Sequence, residues 1–197
     1  WLVLTLTDSP LLLGVVSAVQ FTPMLLFSLI AGVIADRLPK RKILILTQSG
    51  SAVTALILGL LVLTGKVRYW HVLILAGMLG TINSLDNPTR QSFIVELVGK
   101  QDLMNAIVLN STAFNGARII GPAVAGLAID KLGMAACFLV NSVSYLAVIS
   151  GLMTLRMKDA GKDRESEKMV FSKIKEGLQY IRQTPVILRT LVLMIML

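Results

Sequence analysis

Ionisable side chains inside long apolar stretches are the residues of this sequence best placed to do chemistry. Asp86 and Arg90 lie four positions apart, so they share one helix face and can form an ion pair. Arg118 lies deep in another apolar stretch, where its side chain cannot simply reach water. Ionisable groups at membrane depth are costly and face a partner or a water-filled cavity. Asp86, Arg90 and Arg118 are therefore candidates for ion pairing or ion coupling within a membrane.

Amide side chains add to this polar set. The candidates are Asn83, Asn110 and Asn115. An amide within a membrane helix can line a transport cavity, and it can equally join two helices by a hydrogen bond. Both interpretations stay open for these three residues.

The residue types needed for hydrolysis, metal binding or disulfide formation are scarce. His71 is the single histidine and Cys137 the single cysteine, and the sequence contains no H-E-x-x-H motif. We expect no enzyme activity, no metal and no cofactor. His71 follows Trp70 at a predicted helix start, which favours a polar tip at the membrane interface and leaves proton coupling as the alternative.

The composition is that of a membrane protein. Of 197 residues, 55% are hydrophobic and 15% are charged, whereas a soluble domain carries about 25% charged residues. This excludes an ordinary soluble enzyme and a disordered chain. The net charge of +8 comes from a few basic clusters, which are typical of cytoplasmic loops rather than of a nucleic-acid interface. The expected partner is the lipid bilayer.

Clusters of proline, glycine and charged residues divide the sequence into five apolar spans. Each is long enough for the roughly 20 helical residues that one membrane crossing needs. The predicted spans cover residues 11–38, 43–64, 70–92, 103–129 and 134–155. Partial spans at the two ends suggest a fragment truncated within a helix at each end. The predicted fold class is an all-α integral membrane bundle with five full and two truncated helices.

Charge placement predicts the domain organisation and the orientation. Residues 1–155 form an N-terminal six-helix bundle that lacks most of its first helix, and 156–170 form a charged cytoplasmic linker. Residues 171–197 form an amphipathic surface helix and the start of a seventh span. If the loop at 39–42 is cytoplasmic, fifteen of the nineteen Lys and Arg residues lie inside and three outside.

Two short segments hint at an inverted repeat. Residues 31–38 and 125–132 both read A-G-x-x-x-D-[RK]-L, at an offset of 94 residues. In the predicted topology one segment ends at the inner membrane surface and the other at the outer surface. Similar helix ends on opposite faces are typical of transporters built from inverted repeats.

The stretch from Gly32 to Lys42 reads G-V-I-A-D-R-L-P-K-R-K. Its bases alone would suit a loop that sets topology, but this does not explain the spacing of Gly and Asp. The stretch resembles the signature loop between helices 2 and 3 of the major facilitator superfamily, with Pro39 in place of the usual glycine. The matching residues are Gly32, Asp36, Arg37, Lys40 and Arg41. The resemblance implies a cytoplasmic gate latch, and we expect Glu96 to pair with its bases.

Later segments resemble the bacterial efflux branch of the same superfamily, which includes macrolide and siderophore exporters. One is D-N-P-T-R-Q at 86–91, and the other is the partial glycine–proline antiporter motif of helix 5. The motif residues are Gly116, Gly121, Pro122 and Gly126. We expect the glycines to pack closely against another helix. The wider glycine pattern is incomplete at Thr112, and the R-G pair frequent in helix 4 of proton-coupled members is missing.

The resemblance implies a secondary transporter of the inner or plasma membrane. The leading hypothesis is proton-driven export of drugs or siderophore-like molecules by alternating access. The partners are a small-molecule substrate and a C-terminal half of the same chain, without which we expect no activity. The alternatives are an importer or uniporter for a sugar or metabolite, and a membrane half-unit that does not transport.

Overall fold

The computed structural model describes residues 1–155, which form four helical runs and, within that range, no strand. The runs are α1 (Leu2–Thr7), α2 (Pro10–Arg37), α3 (Lys40–Leu63) and α4 (Tyr69–Thr154). The predicted linker at 156–170 and the predicted surface helix and seventh span at 171–197 lie outside the described residues. The side chains of Leu29, Asp36, Arg37 and Lys100 also lie outside the description.

Glycines with left-handed backbone angles interrupt the helices where the sequence predicts breaks. Gly65 follows α3 with φ of 67°, while Gly99 and Gly133 lie within α4 with φ of 70° and 81°. Only glycine takes these angles without steric cost. The two internal breaks divide α4 into α4a (69–98), α4b (100–132) and α4c (134–154).

Local capping sets both ends of α2. Asp8 ends α1 in the left-handed region, and the Ser9 side chain accepts a hydrogen bond from the amide of Leu12 at the start of α2. At the other end Leu38 is extended, with φ of −97° and ψ of 156°. The following Pro39 favours that conformation because its ring clashes with a helical preceding residue.

α3 is the most buried helix of the bundle. In its apolar span 44% of the residues are buried, against 6% in the spans of α2 and of 101–154. It runs antiparallel to α4a, where a Cβ on Gly50 would lie 3.0 Å from Ile82. It also runs antiparallel to α4c, where Ser142 Oγ donates to the carbonyl of Ala52 at 2.9 Å. The short connection at 64–68 therefore joins two antiparallel neighbours, α3 and α4a.

α2 runs parallel to α4a and approaches it very closely. Tyr69 Oη donates to the carbonyl of Leu12 at 3.3 Å near the start of both helices. Farther along, a Cβ added to Gly80 would lie 2.0 Å from the carbonyl oxygen of Gln20. Contact this close brings a Cα–H group against the carbonyl, which is a weak hydrogen bond common at tight helix crossings.

Two apolar clusters mark opposite ends of the bundle. One contains Leu2, Val3, Val16 and Val72, with Met134 and Phe138 packed against it. The other contains Leu44, Phe93 and Leu152. The segment 31–38 leads into the Leu44 end, whereas 125–132 leads to Met134 at the other end. The two segments therefore end on opposite sides, as the inverted-repeat interpretation requires.

Three stretches of the described chain are long and apolar enough to cross a membrane. They are Pro10–Ser28, Lys40–Leu63 and Gln101–Thr154. The third has 54 residues and contains the break at Gly133, so it exceeds the roughly 20 residues of one crossing. The all-helical membrane architecture is as expected, while the count of five full and two truncated spans stays a prediction.

The crossing at Gly80 yields a stability prediction. Gly80→Ala forces a methyl group into the Gln20 carbonyl, so we expect a loss of about 1–3 kcal/mol in the free energy of unfolding. Gly14→Ala, in open space on α2, is the matched control and should gain up to about 1 kcal/mol from helix propensity. Thermal unfolding in detergent measures both. Equal midpoints for the two variants would contradict the close crossing.

Candidate functional site

The carboxylate of Asp86 is the centre of a buried polar network. Its Oδ1 accepts hydrogen bonds from Thr47 Oγ1 at 2.6 Å and from Gln48 Nε2 at 2.8 Å. Its Oδ2 accepts from Arg90 Nε at 3.1 Å and Nη2 at 2.7 Å. The predicted ion pair between Asp86 and Arg90 is therefore present, and α3 supplies the remaining donors.

This network compensates a charge that has little access to water. Asp86 is 5% exposed, whereas the Arg90 side chain is 46% exposed and carries its charge to the surface of the bundle. A buried carboxylate is tolerated when donors occupy its oxygens. Both oxygens accept hydrogen bonds here, so in this conformation the carboxylate joins α3 to α4a.

A second ion pair lies at the start of α3. Lys40 is buried and pairs with Glu96 of α4a, and its Nζ also lies 3.5 Å from the carbonyl of Ser92. The expectation that Glu96 pairs with the bases of the signature loop is confirmed for Lys40. This contact joins the first turn of α3 to the last turns of α4a.

Arg41 makes the corresponding connection to α4c. Its Nη2 donates to the carbonyl of Met153, in the last turn of that helix. An arginine satisfies such terminal carbonyls and interacts favourably with the helix dipole. Arg41 Nε is buried and has no hydrogen-bond partner within the described part of the chain. The start of α3 is thus bonded to the ends of both α4a and α4c, above the cluster of Leu44, Phe93 and Leu152.

For two of the remaining loop residues, Asp36 and Arg37, the structure describes the backbone. The third, Gly32, has no close neighbours. Asp36 and Arg37 are the last two residues of α2, and their side chains lie outside the described set. A Cβ on Gly32 would meet no atom within 4 Å in the described structure. The role of this loop as a gate latch stays a prediction.

The candidates on α4b are not brought into the Asp86 network. Asn110, Asn115 and Arg118 are exposed. Asn115 Nδ2 donates to the carbonyl of Ser111 on its own helix at 2.8 Å, and Arg118 has no hydrogen bond or ion pair within residues 1–155. Asn83 is half-buried on α4a, one turn before Asp86.

The expected close packing of the helix-5 glycines does not occur within the described chain. A Cβ on Gly116, Gly121 or Gly126 would meet no atom within 4 Å. Pro122 is exposed on the same helix. The tight helix crossing is instead at Gly80, because α4b contributes few buried residues to this bundle while α4a packs on both α2 and α3.

Sequence reasoning missed Thr47 and Gln48 as partners of Asp86. The signal was a polar run within an otherwise apolar span, since Thr47, Ser51 and Thr54 recur at helical spacing and are all buried on α3. A polar stripe on one face of a membrane helix indicates contact with another polar group.

The comparisons with known proteins agree on one superfamily. The major facilitator family model described as transmembrane secretion effector matches residues 1–196. The staphyloferrin A transporter of Staphylococcus aureus is 30% identical over 80% of this chain and 40% of its own length. The multidrug efflux pump Tap of Mycolicibacterium fortuitum is 30% identical over 97% of this chain and 48% of its own length. The chain therefore spans less than half the length of these relatives. No solved structure gives a significant match.

The Asp86 network yields a prediction about stability. Asp86→Asn removes the charge that Arg90 and two α3 donors share, and we expect a loss of roughly 1.5–3 kcal/mol in the free energy of unfolding. Asp130→Asn changes an exposed carboxylate in the same way and should stay within about 0.5 kcal/mol of the parent. Denaturant unfolding in detergent gives both values. Equal effects of the two substitutions would show that the network contributes nothing to the free energy of unfolding.

Proposed function

Because the chain belongs to the major facilitator superfamily, within the transmembrane secretion effector family, we propose that it is the N-terminal half of a secondary exporter. The substrates are drugs or siderophore-like small molecules. Two relatives support this class by name, one a staphyloferrin A transporter and the other a multidrug efflux pump. The chain covers less than half of each, so transport belongs to a longer protein.

The observation that carries the proposal is the bonding of three helices at one end of the bundle. Lys40 pairs with Glu96, Arg41 bonds the carbonyl of Met153, and Thr47 bonds Asp86. In alternating access, one half of the transporter moves largely as a rigid body against the other. Bonds that join α3 to α4a and α4c suit such a body, because the half then moves without its helices separating.

The proposed orientation in the membrane follows from the placement of the basic residues. The end with Lys40 and Arg41 is cytoplasmic in this proposal, and the end with Lys66 and Arg68 faces outward. Five full spans and parts of two more then belong to this chain, with the linker at 156–170 on the cytoplasmic side. The membrane is the inner or plasma membrane.

Proton entry is the proposed driving force. Asp86 is the described acid that lies buried within the bundle, and opening of its contact with Thr47 or Arg90 would expose it to a proton. Arg118, Asn110 and Asn115 on exposed α4b would line a polar cavity shared with the second half of the transporter.

A transport assay tests the proposal directly. Cells that express the full-length protein should accumulate less ethidium than cells with an empty vector, because the dye is exported. A protonophore should restore accumulation to the vector level. Unchanged accumulation across a panel of dyes and siderophores would contradict export, and substrate uptake would indicate the importer alternative.

The gate-latch role gives a second assay in the same cells. Asp36→Asn should reduce efflux to near the vector level while leaving the amount of membrane protein intact, because the matching loop residues hold the two halves together. Asp8→Asn, an exposed acid between α1 and α2, is the matched control and should export normally. Normal efflux by Asp36→Asn would refute the latch.

A further inference from the structure

A cavity of about 610 Å³ lies at the end of the bundle opposite Lys40, where α3 ends and α4 begins. No function described above uses it. Its wall combines basic side chains with apolar ones. The lining residues are Leu61, Gly65, Lys66, Val67, Arg68, Trp70 and His71.

The backbone of this turn holds the basic residues in place. Gly65 reverses the chain in the left-handed region, and the carbonyl of Leu61 then accepts hydrogen bonds from the amides of Lys66 and Val67, both at 3.1 Å. The amide of Arg68 donates to His71 Nδ1 at 3.1 Å. A neutral His71 therefore carries its proton on Nε2, which makes that nitrogen a third donor beside the two cations.

Two cations of this turn lack partners of the kind that Lys40 and Arg90 have. Within residues 1–155, neither Lys66 nor Arg68 forms an ion pair or a side-chain hydrogen bond. Lys40 and Arg90, in contrast, each contact a carboxylate. Two uncompensated positive charges beside an imidazole donor favour an anion with several acceptor oxygens, such as a phosphate group.

Apolar surface next to the cavity favours a lipid over a free anion. Trp70 is 51% exposed, and its ring lies 4.0 Å from that of His71, centroid to centroid. Leu63, the last residue of α3, is 62% exposed. Tryptophan beside a helix terminus is typical of the boundary between hydrocarbon and headgroups. The phosphate would then meet the bases while the acyl chains lie along Trp70 and Leu63.

We propose that this turn is a binding site for the headgroup phosphate of an anionic phospholipid. Arg68 and Lys66 bind the phosphate oxygens, the His71 Nε2 hydrogen donates to the same group, and Trp70 packs against the glycerol and upper acyl chain. The site is separate from the Asp86 network, so its presence does not depend on the transport proposal.

Lipid titration with native mass spectrometry tests the site in the detergent-solubilised full-length protein. The probe is dioleoyl phosphatidylglycerol. Lys66→Gln combined with Arg68→Gln should weaken its binding roughly 10- to 30-fold, since each base near an anionic headgroup contributes about 1 kcal/mol. Lys131→Gln, an exposed base at the other predicted outer loop, is the matched control and should bind like the parent.

Three further arms identify the ligand. Trp70→Ala should weaken phosphatidylglycerol binding, and dioleoyl phosphatidylcholine should bind weakly to every variant because it carries no net charge. Millimolar inorganic phosphate should not displace the lipid; displacement would show a free-anion site and overturn the lipid assignment. Equal binding by the parent and the double variant would overturn the site itself. An unchanged unfolding midpoint verifies that the exposed substitutions leave the fold intact.

Discussion

The arrangement of the bundle depends on placing one carboxylate, Asp86, where water hardly reaches it. An apolar surrounding offers no donors, so the protein must supply them. Arg90 on the same helix satisfies one oxygen, but the other needs a second helix, and Thr47 and Gln48 of α3 provide it. That requirement sets the register of α3 against α4a. The same register brings Lys40 to Glu96 at the helix ends, so the two ion pairs reinforce each other.

How far the sequence predicts this structure depends on whether a feature is local. The breaks at Gly99 and Gly133 and the pair of Asp86 with Arg90 follow from short-range rules, and the structure has them. The contact of Gly80 with the Gln20 carbonyl depends on how two distant helices cross. The hydrogen bond from Thr47 to Asp86 likewise depends on the register of α3 against α4a. Charge complementarity is the exception, since it connected Glu96 to the loop across a long sequence separation.

The uneven burial of the helices explains why several candidate residues have no partner in the described chain. α3 buries much of its surface, whereas α4b exposes Arg118, Asn115 and Pro122. Lipid cannot satisfy a guanidinium at membrane depth. α4b therefore needs polar surroundings, and a cavity shared with a second half supplies them in the proposed transporter. In that proposal the bonded face of the bundle provides rigidity and its exposed face lines the substrate path.

The two ends of the bundle use positive charge in opposite ways. Lys40 and Arg41 direct their donors inward, to Glu96 and to the carbonyl of Met153, so these bases stabilise the contacts between helices. Lys66 and Arg68 have no such partner in the described chain, and they surround a cavity instead. A base already satisfied by its own fold has little to gain from an external anion. The proposed headgroup site therefore uses two bases, Lys66 and Arg68, that have no such partner and that lie side by side at one cavity.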